Sequence, residues 1–256
     1  MKRDIVGVFL KTEILPDCHL GVWEITEDFD SLYSMVNLVD VEKAKLDSFK
    51  NISRKVEWLS VRALVKSMIG KDTRILYNAE NKPFIRGNTH NISISHSNNL
   101  TAVLISRDKR VGIDLEFMSG RISKVADKFI NEKESITSDR ELRKLHLYLH
   151  WCAKEAMYKI CDKQDINFRD GLTILPFAPE EHGFMKGHVL NGNGEEDIEL
   201  DLIQEVVGQT KAIVGGQSVM TVRQPEEVNT VEPASCQLYA VNADKLNNSQ
   251  FFTIRF

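Results

Sequence analysis

No stretch of the chain stays apolar for the roughly 18–20 residues that a helix needs to cross a bilayer. The N-terminus, Met1-Lys2-Arg3-Asp4 followed by Ile5 to Leu10, begins like a signal peptide. Its apolar run is too short, acidic residues flank it, and no small-residue cleavage site follows, so it reads as a first strand. Cysteine is scarce. Cys18, Cys152, Cys161 and Cys236 lie far apart and form no CxxC, which excludes a disulfide framework and points to reduced thiols in a cytoplasmic protein. No charge of one sign dominates: the net charge is -4, mixed along the chain, which argues against a general nucleic-acid binder. A GxxxxGK[ST] phosphate loop and an HExxH motif are absent, as are internal repeats and low-complexity tracts. What is present is 256 residues, 42% of them hydrophobic, enough for one large domain or two smaller ones.

Gly21–Ile25 reads as a second strand, and amphipathic Leu32 to Phe49 as a helix. A longer helix is predicted from about Ser53, a candidate N-cap, to Ile69, ended by Gly70, with Val56, Leu59, Ala63 and Leu64 facing the core. Ile92–Ser95, Leu100–Ser106 and Val111–Phe117 read as strands. Ile122–Phe129 and Glu132–Lys163 read as mostly helical, with apolar positions at Leu142, Leu145, Leu149, Ala153, Ala156 and Ile160. Beyond Gly171 short strands return, separated by turns such as Asn191-Gly192-Asn193-Gly194. This order predicts an α+β fold of two halves, residues 1–110 and 111–256.

Four short features carry chemistry. In Val111-Gly112-Ile113-Asp114-Leu115-Glu116 strand alternation projects Asp114 and Glu116 together, while Val111, Ile113 and Leu115 can face a core. Two adjacent carboxylates repel unless a cation lies between them, and hard oxygen ligands suit Mg²⁺; the plain alternative is an edge strand with two solvated acids. On the long helix Glu155 and Lys159 share a face, with Lys154 beside them and Trp151 and Tyr158 flanking; the plain alternative is a surface ion pair. Ser93-Ile94-Ser95-His96-Ser97 leads into an Asn-rich turn and offers hydroxyls, an imidazole and backbone N–H groups to a phosphate, or simply makes a turn. Asn81-Lys82-Pro83-Phe84 holds a lysine on a stiffened turn. His146 and His150, four apart on a helix, could bind zinc, but no third ligand is near them in sequence.

Taken in order, these features resemble the Sfp-type 4′-phosphopantetheinyl transferases. The resemblance rests on Lys82-Pro83, on Ser95-His96-Ser97, on Gly112–Glu116 and on the WxxKEAxxK helix from Trp151 to Lys159, with an upstream pattern of Arg54, Glu57, Leu59 and Arg62. It covers about residues 40 to 175; Asn98 and Cys152 depart from the family pattern, and no motif is found beyond about residue 176. It implies a pseudo-dimer of two similar α+β subdomains with coenzyme A in the cleft between them. Residues 1–110 would then bind coenzyme A, and residues 111–256 would bind Mg²⁺ and catalyse. It implies Asp114, Glu116 and Glu155 as Mg²⁺ ligands, Glu155 also as the base, and Lys159, with Lys154 a lesser candidate, on the leaving phosphate. Lys82, Ser95 and His96, with Arg54 as a weaker member, would take the 3′-phosphate and adenosine end. The acceptor would be an acyl or peptidyl carrier protein, acidic around its serine, met by Phe117 to Ile136 with Met118, Arg121, Ile122, Lys124, Lys128 and Phe129. The protein would act as a cytoplasmic monomer with neither nucleic-acid nor membrane partners. A non-catalytic relative that only binds coenzyme A or the carrier would have no use for Asp114, Glu116, Glu155 and Lys159 together.

Overall fold

A computed structural model describes residues 7–70, 73–161, 166–179, 183–192, 194–203, 217–223 and 251–254. The chain opens with strands β1 (Val8–Leu15) and β2 (Cys18–Glu24), then helices α1 (Phe29–Met35), α2 (Asp40–Asp47) and α3 (Ile52–Ile69). A small hairpin, β3 (Ile75–Tyr77) and β4 (Pro83–Ile85), precedes β5 (Asn91–Ser97) and β6 (Leu100–Ser106). After β7 (Gly112–Phe117) come two short 3₁₀ turns, Ile122–Lys124 and Ala126–Lys128, and helix α4 (Arg140–Ile160). Strands β8 (Leu172–Ile174), β9 (Gly183–Asn191), β10 (Gly194–Ile203), β11 (Gln217–Arg223) and β12 (Phe251–Ile254) complete the described elements. Sheet order is β1-β2-β6-β5 in the first sheet and β7-β11-β12-β10-β9-β8 in the second, mostly antiparallel, so the fold is α+β as predicted.

Local chemistry explains where the elements begin and end. Asn51 accepts the Ser53 N–H to cap α3, two residues before the expected cap, and Gly70 closes it in the left-handed conformation (φ +78°). The single helix expected over Leu32–Phe49 breaks in two, because Val36 and Val39 both adopt extended backbone and Glu42 reaches back to the Val39 N–H to start α2. The helix expected from Glu132 begins only at Arg140, where Asp139 accepts the Glu141 and Leu142 N–H groups. Residues 131–134 are instead pinned by side chains: Asn131 donates to Arg169 O, Leu172 O and Thr173 Oγ1, and Glu134 accepts from the Asn131 N–H. The helix expected over Ile122–Phe129 is the pair of 3₁₀ turns. Leu142, one of the apolar positions of that helix, sits in the first turn of α4 and is 40% exposed.

Alternation along the strands sorts the core. Trp23, Ile92, Val103 and Ile105 meet α3 on one face of the first sheet. On its other face Leu20, Val22, Leu100, Ala102 and Leu104 meet Val111, just before β7, and Ile113 and Leu115 of β7. The remaining face of β7, with Gly112, Asp114 and Glu116, turns toward α4, which also covers Leu172, Ile174, Met185, Val189, Ile198 and Leu200 of the second sheet. No helix among the described residues is long and apolar enough to cross a membrane. Cys18, Cys152 and Cys161 are buried and form no disulfide with one another, and Cys236 lies outside the described residues.

His146 and His150 are buried on α4 against Phe177, ring to ring at 4.7 Å. His150 Nδ1 donates to His146 O and His146 Nδ1 accepts the Thr137 N–H, so both rings serve the packing as neutral groups. Burial, against the hydrogen bond to the His146 carbonyl, pulls the His150 pKa from 6.5 down to about 3. A base whose folded pKa is depressed lends stability that is complete above its unfolded pKa and is lost as pH falls toward the folded one. Unfolding free energies from urea titrations are therefore expected to fall as pH drops from about 6.5 toward 3, and His150→Phe should flatten that slope. An unchanged slope in the variant would remove His150 as the cause.

Candidate active site

Close approach of α4 to β7 builds the first half of the site. A Cβ on Gly112 would lie 2.2 Å from the Ala156 carbonyl oxygen, so only glycine lets helix and strand meet here. One strand step on, Asp114 is 4% exposed. Its Oδ1 accepts from Lys159 Nζ at 2.8 Å and from Ser95 Oγ at 3.0 Å. Lys159 also donates to Ile113 O at 2.8 Å and to Ser95 Oγ at 3.3 Å. The other carboxylate oxygen, Asp114 Oδ2, is buried and has no hydrogen-bond partner among the described residues.

Glu116 lies on the same face of β7 and accepts from Trp151 Nε1 at 3.0 Å. Burial, then the Asp114 charge, raise its pKa to about 7 against the Trp151 hydrogen bond, with Glu155 adding to the repulsion. Glu155 is half-buried one turn before Lys159 on α4. The Cys152 thiol beside Asp114 is kept protonated by burial and by the Asp114 and Glu116 charges, so it gives this cluster at most a weak donor.

An adjoining pocket of about 180 Å³ gathers positive charge. Arg54 and Arg62 come from α3, Lys82 from the β3–β4 turn and Lys159 from α4, against the one carboxylate of Glu57; His96 from β5 adds a neutral ring, and Trp58, Tyr77 and Pro83 add apolar wall. Arg54 Nη1 contacts both Glu57 Oε2 (2.9 Å) and His96 Nε2 (2.6 Å). Burial, with help from Arg54 and Lys159 and against Glu57, holds the His96 pKa below its usual value, so a neutral ring accepts the arginine proton. The Lys82 turn is shaped by Asn78, whose Oδ1 accepts the Lys82 N–H at 2.7 Å, and by Asn81 in the left-handed region (φ +61°). Arg62 stacks on Trp58 at 3.1 Å and bonds Glu42; its pKa falls to about 10 through burial, which leaves it charged at neutral pH.

The structure thus brings Asp114, Glu116, Glu155, Lys159 and Ser95 together, and sets Arg54, Lys82 and His96 in the pocket that Lys159 also lines. Lys154 departs from expectation. Its side chain is 0% exposed, paired with equally buried Glu134 at 2.7 Å and bonded to Phe129 O and Arg169 O, so its ammonium is closed to a ligand. Helical phase explains this, since one residue's step carries it off the Glu155–Lys159 face. In the segment expected to meet a partner, Ile122 and Phe129 point into the core while Arg121, Lys124, Lys128 and Lys133 are exposed together with Asp127 and Glu132, so its outer surface is charged, with cations in excess, rather than apolar. Sequence reasoning missed the Trp151–Glu116 bond and the role of Arg62 as a pocket wall; the aromatic-flanked helix and the upstream arginine pattern were their only signals.

Among the described residues no group of three or more His, Cys, Asp or Glu side chains forms a ready metal cage. Mg²⁺ does not need one, because it takes one or two carboxylates and completes its shell with phosphate oxygens and water. The residues present fit such an ion: Asp114 keeps a buried oxygen without a donor, and Glu116 is so poorly compensated that it holds a proton to about pH 7.

Comparison with known proteins agrees in part with this geometry. Residues 110–204 match the model of the 4′-phosphopantetheinyl transferase superfamily, a span that contains β7, α4, β8, β9 and β10. The chain therefore carries a domain of that superfamily, which supports phosphopantetheinyl transfer in general. No curated protein matches the chain.

Proposed function

We propose, with the superfamily domain over residues 110–204 as premise, that this protein moves 4′-phosphopantetheine from coenzyme A to a serine of an apo acyl or peptidyl carrier protein and releases 3′,5′-ADP. One juxtaposition supports the reading most: Lys159 belongs both to the acid cluster and to the cationic pocket. A diphosphate lying across Lys159 would have its 3′-phosphoadenosine end among Arg54, Lys82 and His96 and its reacting phosphorus beside Asp114, Glu116 and Glu155. In this reading residues 1–110 hold coenzyme A, while residues 111–256 supply the acids and Lys159.

In the reaction the serine oxygen forms a bond to the β-phosphorus as the bond to the 3′,5′-ADP phosphate breaks. Asp114, Glu116 and Glu155 would hold Mg²⁺, which when bound offsets the diphosphate charge. Glu155 accepts the serine proton, and Lys159 neutralises charge on the leaving phosphate. Ser95 holds Asp114 and Lys159 in register with β5. Arg121, Lys124 and Lys128 offer their exposed charge to an acidic carrier.

The direct test incubates the protein with coenzyme A, Mg²⁺ and an apo carrier protein and looks by mass spectrometry for the gain of one phosphopantetheine. A carrier mass that never changes would defeat the proposal. Glu155→Gln separates two roles of one residue. If Glu155 is chiefly the base, turnover should fall by about 10²–10⁴ while Mg²⁺ and coenzyme A still bind. If it is chiefly a ligand, Mg²⁺ affinity should fall and excess Mg²⁺ should restore the rate. We expect both effects with turnover hit harder, read by calorimetry and initial rates; a variant with wild-type turnover would remove Glu155 from the mechanism.

A further inference from the structure

Every second residue along the middle of β5 is a serine, and each hydroxyl accepts a backbone N–H from β7. Ser93 Oγ takes the Ile113 N–H at 3.0 Å, Ser95 Oγ the Leu115 N–H at 3.1 Å, and Ser97 Oγ the Phe117 N–H at 2.9 Å. The separation is twenty residues at each rung, so the two strands run parallel and in step. Backbone N–H groups alternate between the two edges of a strand, so these three belong to one edge of β7. The other edge is paired with β11. The two sheets are therefore joined along this line by side-chain hydroxyls.

The middle rung already belongs to the site, since Ser95 also bonds Asp114 and Lys159. Among the described residues the outer rungs bond neither Asp114 nor Lys159, although Ser93 also lines the phosphate pocket. Ser97 accepts the N–H of Phe117, the residue after Glu116, and Ser93 accepts the N–H of Ile113, the residue before Asp114. Serine suits the task because its hydroxyl is short and can accept an N–H without turning away from the strand. An aliphatic side chain here would leave a β7 amide without its acceptor and free one end of the acid strand to shift against β5, which carries His96.

We infer that Ser97 and Ser93 are positioning residues that fix the acid strand relative to the phosphate pocket, Ser97 at the Glu116 end and Ser93 at the Ile113 end. This rests on the transfer reaction proposed above. The hydroxyl can be isolated at Ser97, because Ser97→Thr and Ser97→Val have the same shape and differ only in keeping or losing it. In Ser97→Val turnover should fall about tenfold, as small displacements of reacting groups do, with the KM for coenzyme A little changed. Ser97→Thr should stay near wild type. Amide exchange followed by NMR should quicken at Phe117 in Ser97→Val, and at Ile113 in Ser93→Ala, while the neighbouring β7 amides keep their protection. Wild-type turnover and wild-type Phe117 protection in Ser97→Val would overturn the inference. So would an equal loss in Ser97→Thr, which would indict shape instead of the hydroxyl. The exchange measurement needs no carrier protein. Unchanged exchange in Ser97→Val and Ser93→Ala thus defeats the ladder, whereas a wild-type protein that never loads a carrier defeats only the proposed reaction.

Discussion

Replacing Asp114 with asparagine is expected to lower transfer by at least about 10²–10³-fold while the protein stays folded. The amide keeps the size of the carboxylate, and its remaining oxygen can still accept from Ser95 and Lys159. Its NH₂ must then take the place of Oδ2, the buried oxygen that has no donor among the described residues. Two N–H bonds would then point where the proposed reaction would hold Mg²⁺, and the charge that would draw that ion is gone. Calorimetric titration should show weakened Mg²⁺ binding, and thermal melts with and without Mg²⁺ should differ less than in wild type. Near-normal turnover of Asp114→Asn at limiting Mg²⁺ would sink the metal assignment.

Gly112→Ala is expected to be the most damaging substitution to the fold near the site. The new methyl would stand 2.2 Å from the Ala156 carbonyl oxygen, and a helix backbone cannot swing aside as a flexible side chain does. Overpacking of a rigid contact costs about 3 kcal/mol, and here the strain moves α4 away from β7. Glu155 and Lys159 flank Ala156, so the same displacement separates the helix groups from Asp114 and activity should fall with stability. Urea unfolding should give a lower midpoint, and coenzyme A should restore little of it. A variant that unfolds and loads carrier like wild type would show that this contact does not hold α4 in place.

Much of this was legible in the sequence where local chemistry decides. The alternation in Val111–Glu116 separated core from acid side chains, and both faces are where that pattern put them. Gly70 marked a helix end, and the Asn191–Gly194 turn falls between β9 and β10. What was not legible depends on partners distant in sequence. Ser93, Ser95 and Ser97 read as turn or phosphate chemistry because nothing near them reveals β7, twenty residues on. Lys154 read as a ligand group because its carboxylate, Glu134, lies in a segment that looked helical and is a pinned loop. The breaks after α1 and before α4 were missed because side chains there, Glu42 accepting the Val39 N–H and Asn131 accepting the Lys133 N–H, satisfy backbone groups that periodicity assigns to a helix.

The acid strand has two edges that become satisfiable at different times. Its serine partners on β5 are already made when Gly112 to Phe117 is synthesised, but its backbone partner β11 arrives much later, with Phe117 facing Gln217. A nascent chain that ends between α4 and β11 therefore carries β7 with one edge held and the other open, a template for pairing with other chains. The residues proposed for the reaction are complete in sequence at Lys159, yet the strand that bears Asp114 and Glu116 is paired on its second edge only by residues 217–223. Assembly of the site is thus a late event in folding, and truncations upstream of Gln217 should aggregate rather than yield a smaller active enzyme.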